Sequence, residues 1–187
     1  LVAGLFEPGD DDVPELVALP DFLAVDIELG GEPLRLAAGR VSEYERLLDL
    51  RRGLLRRTFI YEQAGRRSRL ELERLASLAN PHLVAQSITV TPLNWRGEAT
   101  VRFWMDRPGG SADRLRPLHA RHVARDRILS AAETLTNRTR VGHACRCCAW
   151  VRQTAPPRAE HLRDEDRIGL GYTAALESGQ RAVFDRL

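Results

Sequence analysis

The sequence predicts an all-β protein built as a large antiparallel sandwich of two sheets. Two observations favour this fold class: short stretches alternate apolar and polar residues, and turn signals separate the stretches. The turn signals recur about every 9 to 16 residues, a spacing typical of successive antiparallel strands. They are Gly30-Gly31, Gly39, Gly53, Ala64-Gly65, Asn80-Pro81, Arg96-Gly97 and Pro108-Gly109-Gly110.

Individual strands follow from the alternation. Val25, Ile27 and Leu29 are separated by acidic residues, so one face of this strand is apolar and the other is wet. A similar β-like character predicts further strands at residues 34–36, 87–93, 101–105 and 139–151.

Two segments carry a mixed signal, because their leucines also fit an amphipathic helix. These are residues 43–55 and 66–79. Gly53 and Gly65 interrupt a helical pattern, and tertiary pairing overrides weak local preferences, so we predict strands for both. Residues 109–116 are predicted to form a surface loop, and the charged residues 158–167 an exposed turn or short helix.

Length and composition indicate one globular domain over residues 1–187, with 43% hydrophobic and 29% charged residues. No apolar run reaches the roughly 18 to 20 residues of a transmembrane helix, so no membrane partner is expected. All 28 basic residues are arginine, but 26 acidic residues are interleaved with them. The net charge of +2 leaves no sustained positive field for a polyanion, so no nucleic-acid partner is expected.

The three cysteines, Cys145, Cys147 and Cys148, lie within four positions, and this odd cluster favours a reducing cytoplasm over a disulfide scaffold. Together with His143 they offer four metal-ligating side chains, which leaves a metal-binding interaction domain as an alternative function. Zinc sites usually use ligand pairs from two separate segments. Strand alternation points Cys148 away from the other two thiols, so we predict small buried residues, no metal and no cofactor.

Four stretches together resemble the N-terminal domain of glycoside hydrolase family 65, which includes maltose, trehalose and kojibiose phosphorylases and acid trehalases. They are VAGLFE (2–7), ELVALPDFL (15–23), LLDLRRGLLRR (47–57) and RLASLANPHLVAQSITVTPLN (74–94). The order and spacing of the stretches carry the resemblance, which covers about the first half of the chain.

The resemblance implies a supersandwich of the galactose mutarotase-like kind, followed in the parent enzyme by a helical linker and an (α/α)6 barrel. The family's catalytic Glu and phosphate-binding residues lie in that barrel, and no position here matches them. We therefore predict no catalytic residue and no enzymatic activity for this chain alone, which resembles a family domain truncated at both ends.

The implied partners are the C-terminal barrel, an α-glucosidic disaccharide in the parent, and a second copy of the chain. The predicted role is support of the barrel, of the rim of its active site and of a dimer interface. A stand-alone carbohydrate-binding module is the alternative.

Trp95 is the one sugar-contact candidate, because it lies in a loop beside Gly97, where an aromatic face could meet a pyranose ring. An interface with the barrel is the alternative for this residue.

In residues 47–57, the arginines Arg51, Arg52, Arg56 and Arg57 could face a partner or an anion. We prefer a structural reading, in which Asp49 pairs with a nearby arginine, Gly53 makes a turn and the leucines pack in the core. The acidic runs 10–12 and 164–166 are interpreted as solubilising loops, because glycosidic chemistry needs two carboxyls held at a defined separation.

Overall fold

A computed structural model describes residues 5–9, 11, 13–106, 114–152 and 154–187, and every regular element in these ranges is a β-strand. The all-β prediction is therefore confirmed. The strands are β1 (Phe6–Pro8), β2 (Pro14–Leu16), β3 (Val25–Leu29), β4 (Glu32–Pro33), β5 (Arg40–Asp49), β6 (Leu54–Gln63), β7 (Arg66–Ala76), β8 (Val84–Pro92), β9 (Gly97–Asp106), β10 (Leu115–Ala124), β11 (Arg127–Thr134), β12 (Arg140–Val151), β13 (Glu160–Arg163), β14 (Arg167–Leu176) and β15 (Ala182–Arg186).

Two antiparallel sheets form the sandwich. The large sheet has the order β10-β11-β12-β15-β8-β7-β6-β5, and the small sheet has the order β13-β14-β9-β3-β4. A separate pair, β1 and β2, lies outside both sheets. The last strand in the sequence, β15, lies between β12 and β8 in the large sheet, so the end of the described chain is part of its centre.

Local sequence explains the tight hairpins. Gly30 and Gly31 both have positive φ in the β3–β4 turn, and Ala64 and Gly65 have positive φ in the β6–β7 turn. Two successive positive φ values define the type I′ turn, whose twist suits two-residue hairpins. Both turn predictions are confirmed.

The core lies between the sheets, where alternate residues of each strand meet. Its fully covered side chains come from both sheets and include Leu70, Ile88, Val90, Phe103, Leu170 and Phe184. A smaller cluster of Leu5, Val17, Leu115 and Ala132 packs where the β1–β2 pair meets β10 and β11.

The two segments with mixed signals are strands, as predicted: residues 43–55 contribute to β5 and β6, and residues 66–79 form β7. Residues 158–167 contain no helix; Glu160–Arg163 forms β13, an edge strand of the small sheet. Most of the loop predicted at 109–116 lies outside the described residues. Among the described residues, no helix is long and apolar enough to cross a membrane.

Candidate functional site

Trp95 lies in the connection between β8 and β9, but its side chain is only 8% exposed and belongs to the core. Its indole Nε1 donates a hydrogen bond to Ser68 Oγ at 2.9 Å. The expectation of an exposed loop-tip side chain is therefore wrong, because the β8–β9 connection folds the ring inward over β7. The sugar contact assigned to Trp95 stays a prediction, and it would require the ring to leave this position.

Trp104 lies on the outer face of the small sheet, opposite Phe103 and Met105, as the alternation predicts. Its Nε1 donates to Asp26 Oδ2 at 2.8 Å, and the Arg167 guanidinium lies 4.4 Å from the ring centroid. Gly169 lies beneath the ring, where an added Cβ would approach within 2.7 Å of it. Trp104 is thus covered by its neighbours and offers no free face.

Trp150 is the exposed tryptophan, with 45% of its surface accessible. It lies on the outer face of the large sheet, beside a shallow groove of about 280 Å³. Four residues that lie directly opposite one another on adjacent strands line this groove. They are Cys148 of β12, Asp185 of β15, Ser87 of β8 and Glu73 of β7. Burial raises the pKa of Asp185. Alternation along β12 could have identified Trp150 from sequence, because it shares the face of Cys148.

The cysteines are divided between the two faces of β12, as predicted. Cys145 and Cys147 are buried on the inner face, while Cys148 is partly exposed on the outer face, and all three are free thiols. A hydrogen bond to Cys147 lowers the pKa of Cys145; the same bond, together with burial, raises the pKa of Cys147. Among the described residues, no group of three His, Cys, Asp or Glu side chains is arranged to hold a metal ion.

The arginine-rich segment 47–57 forms the β5–β6 hairpin. Asp49 accepts a hydrogen bond from the Arg52 backbone at 3.1 Å, and Gly53 has a φ of +66°, so the predicted ion pair and turn are both present. The predicted core packing of the leucines is wrong for Leu47, Leu48 and Leu50, which are exposed. Leu48 faces the inner side of the edge strand β5, where the small sheet does not cover it, whereas Leu47 lies on the outer face opposite Arg56 and Leu50 lies in the turn.

An open cleft of about 860 Å³ lies where the large sheet extends beyond the small sheet. The inner faces of β5, β6 and β7 form one wall, and β3, β4 and the β4–β5 connection form the other. We call it the inter-sheet cleft. Tyr44, Phe59, Arg57 and Arg74 line it on the side of the large sheet, and Ile27 and Leu34 on the other side. Sequence reasoning missed the cleft, because no local pattern states how far one sheet extends over another.

Two histidines that are far apart in sequence stack at the opposite side of the sandwich. His122 of β10 and His161 of β13 have ring centroids 4.0 Å apart and nearly parallel planes. Their Nε2 atoms contact the carbonyl oxygens of Gly169 and Arg125. Burial lowers the pKa of His122, with further contributions from His161 and Arg163. The pair joins the edge strands of the two sheets.

The acidic run 164–166 forms a turn between β13 and β14 that Asp164 stabilises. Asp164 accepts hydrogen bonds from the backbone N–H groups of Asp166 and Arg167 and forms an ion pair with the Arg167 side chain. The run 10–12 lies largely outside the described residues. On the outer faces of the two sheets, the carboxylates of Asp26, Glu28 and Glu73 accept hydrogen bonds from Trp104, Arg102 and Arg56.

The fold defines an antiparallel two-sheet β-sandwich domain. The family model described as "Glycosyl hydrolase family 65, N-terminal domain" matches residues 1–187, and the chain therefore belongs to this family.

Its relatives include several phosphorylases. Kojibiose phosphorylase from Halothermothrix orenii is 34% identical over 102 residues, which cover 54% of this chain and 13% of that protein. Kojibiose phosphorylase from Escherichia coli is 27% identical over 190 residues, covering 100% of this chain and 24% of that protein. A solved structure of a putative kojibiose phosphorylase from human microbiome matches with a TM-score of 0.75 and 18% identity, over 91% of this chain and 22% of that one. The chain thus spans only 13% to 24% of the length of these relatives, and the structural match supports the two-sheet sandwich.

Proposed function

We propose that this chain works as the non-catalytic N-terminal domain of a longer cytoplasmic enzyme that cleaves α-glucosidic disaccharides. The observation that carries the proposal is the family match over residues 1–187, combined with relatives whose greater length lies outside the matched region. In this proposal the sandwich braces a C-terminal (α/α)6 barrel, shapes the rim of the barrel's active site and contributes to a dimer.

The chemistry of the surface is consistent with a supporting role. Glycosidic cleavage requires two carboxyl groups at a defined separation, one of them kept protonated. The carboxylates of Asp26, Glu28 and Glu73 instead accept hydrogen bonds from Trp104, Arg102 and Arg56 on the outer faces of the two sheets.

The test separates the domain from the rest of the polypeptide. We expect the 187-residue chain alone to release no glucose or glucose phosphate from kojibiose, maltose or trehalose, with or without phosphate. We expect the full-length polypeptide to cleave one of them, and deletion of residues 1–187 to abolish soluble, active barrel. Restoration of activity when the chain is co-expressed with the separate barrel would support bracing. Full activity of the barrel without the chain would contradict it.

One observation favours a second candidate function, carbohydrate binding by the sandwich itself. The exposed indole of Trp150 borders the row of Asp185, Ser87 and Glu73 on the outer face of the large sheet. An aromatic plane beside hydrogen-bonding groups suits a pyranose ring, which has one apolar face and polar edges. Calorimetry of the chain with kojibiose, maltose and trehalose tests this function, and Trp150→Ala should abolish any heat of binding that is observed. Trp95→Phe is the matched control, because that indole is buried.

A further inference from the structure

Two arginines of the inter-sheet cleft, Arg57 and Arg74, lie close to a third arginine on the neighbouring edge strand. Arg46 of β5 lies directly opposite Arg57 of β6, and Arg74 of β7 is displaced from Arg57 by two residues along the ladder. All three lie on the face of the large sheet that bears the buried Phe59 and Leu70. Like charges directly opposite each other destabilise a strand pair. This arrangement therefore opposes the β5–β6 pairing.

No described residue compensates these charges. None of the three guanidinium groups forms a hydrogen bond or an ion pair with any part of the chain that the structure describes, although Arg57 and Arg74 are half-buried. The buried Arg186 adds a fourth cation behind Arg74, and its own contacts are the carbonyls of Trp104 and Ala24 and the amide of Gln86. Burial lowers the pKa of Arg186, and repulsion from Arg74 contributes to the lowering.

The carboxylates on the strands around the cleft point away from it. Asp26 and Glu28 alternate with the inward-facing Ile27 and project from the outer face of the small sheet, and Glu73 projects from the outer face of the large sheet. Glu28 holds Arg102 with both oxygens, and Glu73 accepts from Arg56 Nε at 2.6 Å. Asp26 accepts from Trp104 Nε1. A half-buried cation without an acceptor loses hydration that nothing replaces, which costs free energy. The described residues therefore give the cleft no unengaged carboxylate, and Arg57 and Arg74 lie in it beside apolar side chains such as Phe59 and Leu55.

Two sheet edges border the cleft. β5 is the last strand of the large sheet, and β4 is the last strand of the small sheet. β4 covers β3 only at Glu28 and Leu29, so Val25 is paired on one side, with Phe103 of β9. Free strand edges offer unpaired backbone groups, and an added extended segment satisfies them. A small anion would meet the arginines but would leave these edges unpaired.

We propose that the inter-sheet cleft receives an extended segment of the same polypeptide from outside residues 1–187, with carboxylates on Arg57 and Arg74 and apolar side chains against Phe59 and Leu55. The proposal rests on the proposed function in one respect, that the chain is part of a longer polypeptide. Covalent attachment gives such a segment a high effective concentration at the cleft. A second copy of this chain is a poorer occupant, because the same region of that copy presents the same arginines.

Photo-crosslinking in the full-length polypeptide tests the occupant. Tyr44 lines the cleft, and its ring centroid lies 6.3 Å from that of Phe59. We replace Tyr44 with p-benzoylphenylalanine, irradiate the protein and map the crosslinked peptides by mass spectrometry. The expected product joins position 44 to one segment outside residues 1–187 that contains Asp or Glu. Its yield should fall several-fold in Arg57→Gln and further in the double variant with Arg74→Gln.

Arg56→Gln is the matched control, because Arg56 is the neighbouring arginine on the same strand but faces the outer side, where it pairs with Glu73. Its crosslink yield should equal that of the parent protein. Arg57→Lys should restore part of the yield, because it keeps the charge.

Three results would overturn the proposal: a crosslink between two copies of the chain, no crosslink at all, or a crosslink at full yield in the double arginine variant. Disaccharide cleavage measured on the same samples tests the proposed function separately. An active protein without the crosslink removes this inference alone.

Discussion

Strands β8 and β5 belong to the same large sheet, but they lie in different surroundings. β8 alternates Gln86, Ile88 and Val90 toward the small sheet, and all three are buried. On β5, the corresponding inner-facing Val41 and Leu48 remain exposed. Alternation therefore determines which face is apolar, while coverage by the opposing sheet determines whether that face becomes core.

The difference also changes what charged residues do. On the covered strands a charged side chain is held by specific acceptors, as Arg186 is by Gln86 and two carbonyls. Beside the edge strand β5, Arg46 and Arg57 face each other without an acceptor in the described structure. The side of the sandwich that the small sheet does not cover thus presents both apolar surface and, among the described residues, uncompensated charge.

The largest expected effect is a core truncation in the 187-residue chain. Phe184→Ala removes a fully buried ring from β15, the strand between β8 and β12. Large-to-small changes of this kind lower the free energy of unfolding by about 3–5 kcal/mol. Tyr44→Ala, on a ring that is 56% exposed, should cost less than about 1 kcal/mol. Urea unfolding followed by circular dichroism measures both. Equal costs would show that the β5 side is closed in solution and would contradict the comparison.

The second effect depends on pH and concerns the end of the sandwich where β1 contacts the β11–β12 turn. Burial would raise the pKa of Glu7, but hydrogen bonds from the turn residues, led by the Asn137 backbone, lower it from 4.5 to about 2. The two carboxylate oxygens accept from the N–H groups of Thr136 and Asn137 at 2.7 and 2.8 Å.

A carboxyl group whose pKa is lower in the folded state stabilises the protein above its unfolded pKa. This stabilisation is lost as the pH falls from about 4.5 through about 2. We therefore expect the melting temperature to decrease over this window, and Glu7→Gln to flatten that part of the curve. Glu32→Gln, at the exposed β3–β4 turn, is the control. A Glu7→Gln curve parallel to that of the parent protein would refute the assignment.

The smallest expected effect is at the boundary between the covered and open sides. The Tyr61 hydroxyl donates to the Arg35 carbonyl at 2.8 Å and contacts Gln63 Oε1 at 2.6 Å, which fixes the β4–β5 connection. Tyr61→Phe should cost about 1 kcal/mol, the net value of a hydrogen bond in a protein. It should also increase hydrogen exchange in residues 34–39. Tyr44→Phe is the control, because no hydrogen bond of the Tyr44 hydroxyl is present in the described structure. An unchanged exchange rate in Tyr61→Phe would mean that apolar packing alone holds the connection.

Some features of the inter-sheet cleft and of the outer face of β12 could be predicted from the sequence. The turn at Gly53 sets the pairing of Asp49 with Leu54, and counting outward along both strands places Arg46 opposite Arg57. Alternation on β12 likewise separates Cys148 and Trp150 from Cys147. The burial of Trp95 had no comparable signal, because it depends on how the β8–β9 connection folds over Ser68. The stacking of His122 on His161 depends on two edge strands from different sheets.

The sequence by itself determined the all-β class, strands β3, β5, β7, β8, β9 and β12, the turns at Gly30-Gly31 and Ala64-Gly65, and the family. These features depend on local periodicity, on residues that tolerate positive φ and on the order of short motifs. Only the tertiary structure decided that β15 lies between β8 and β12, that Trp95 is core and that the β5 side stays open. The physical reason is that burial and charge compensation depend on what lies across the interface, and the relative extents of two sheets are set by long-range pairing that no single segment encodes.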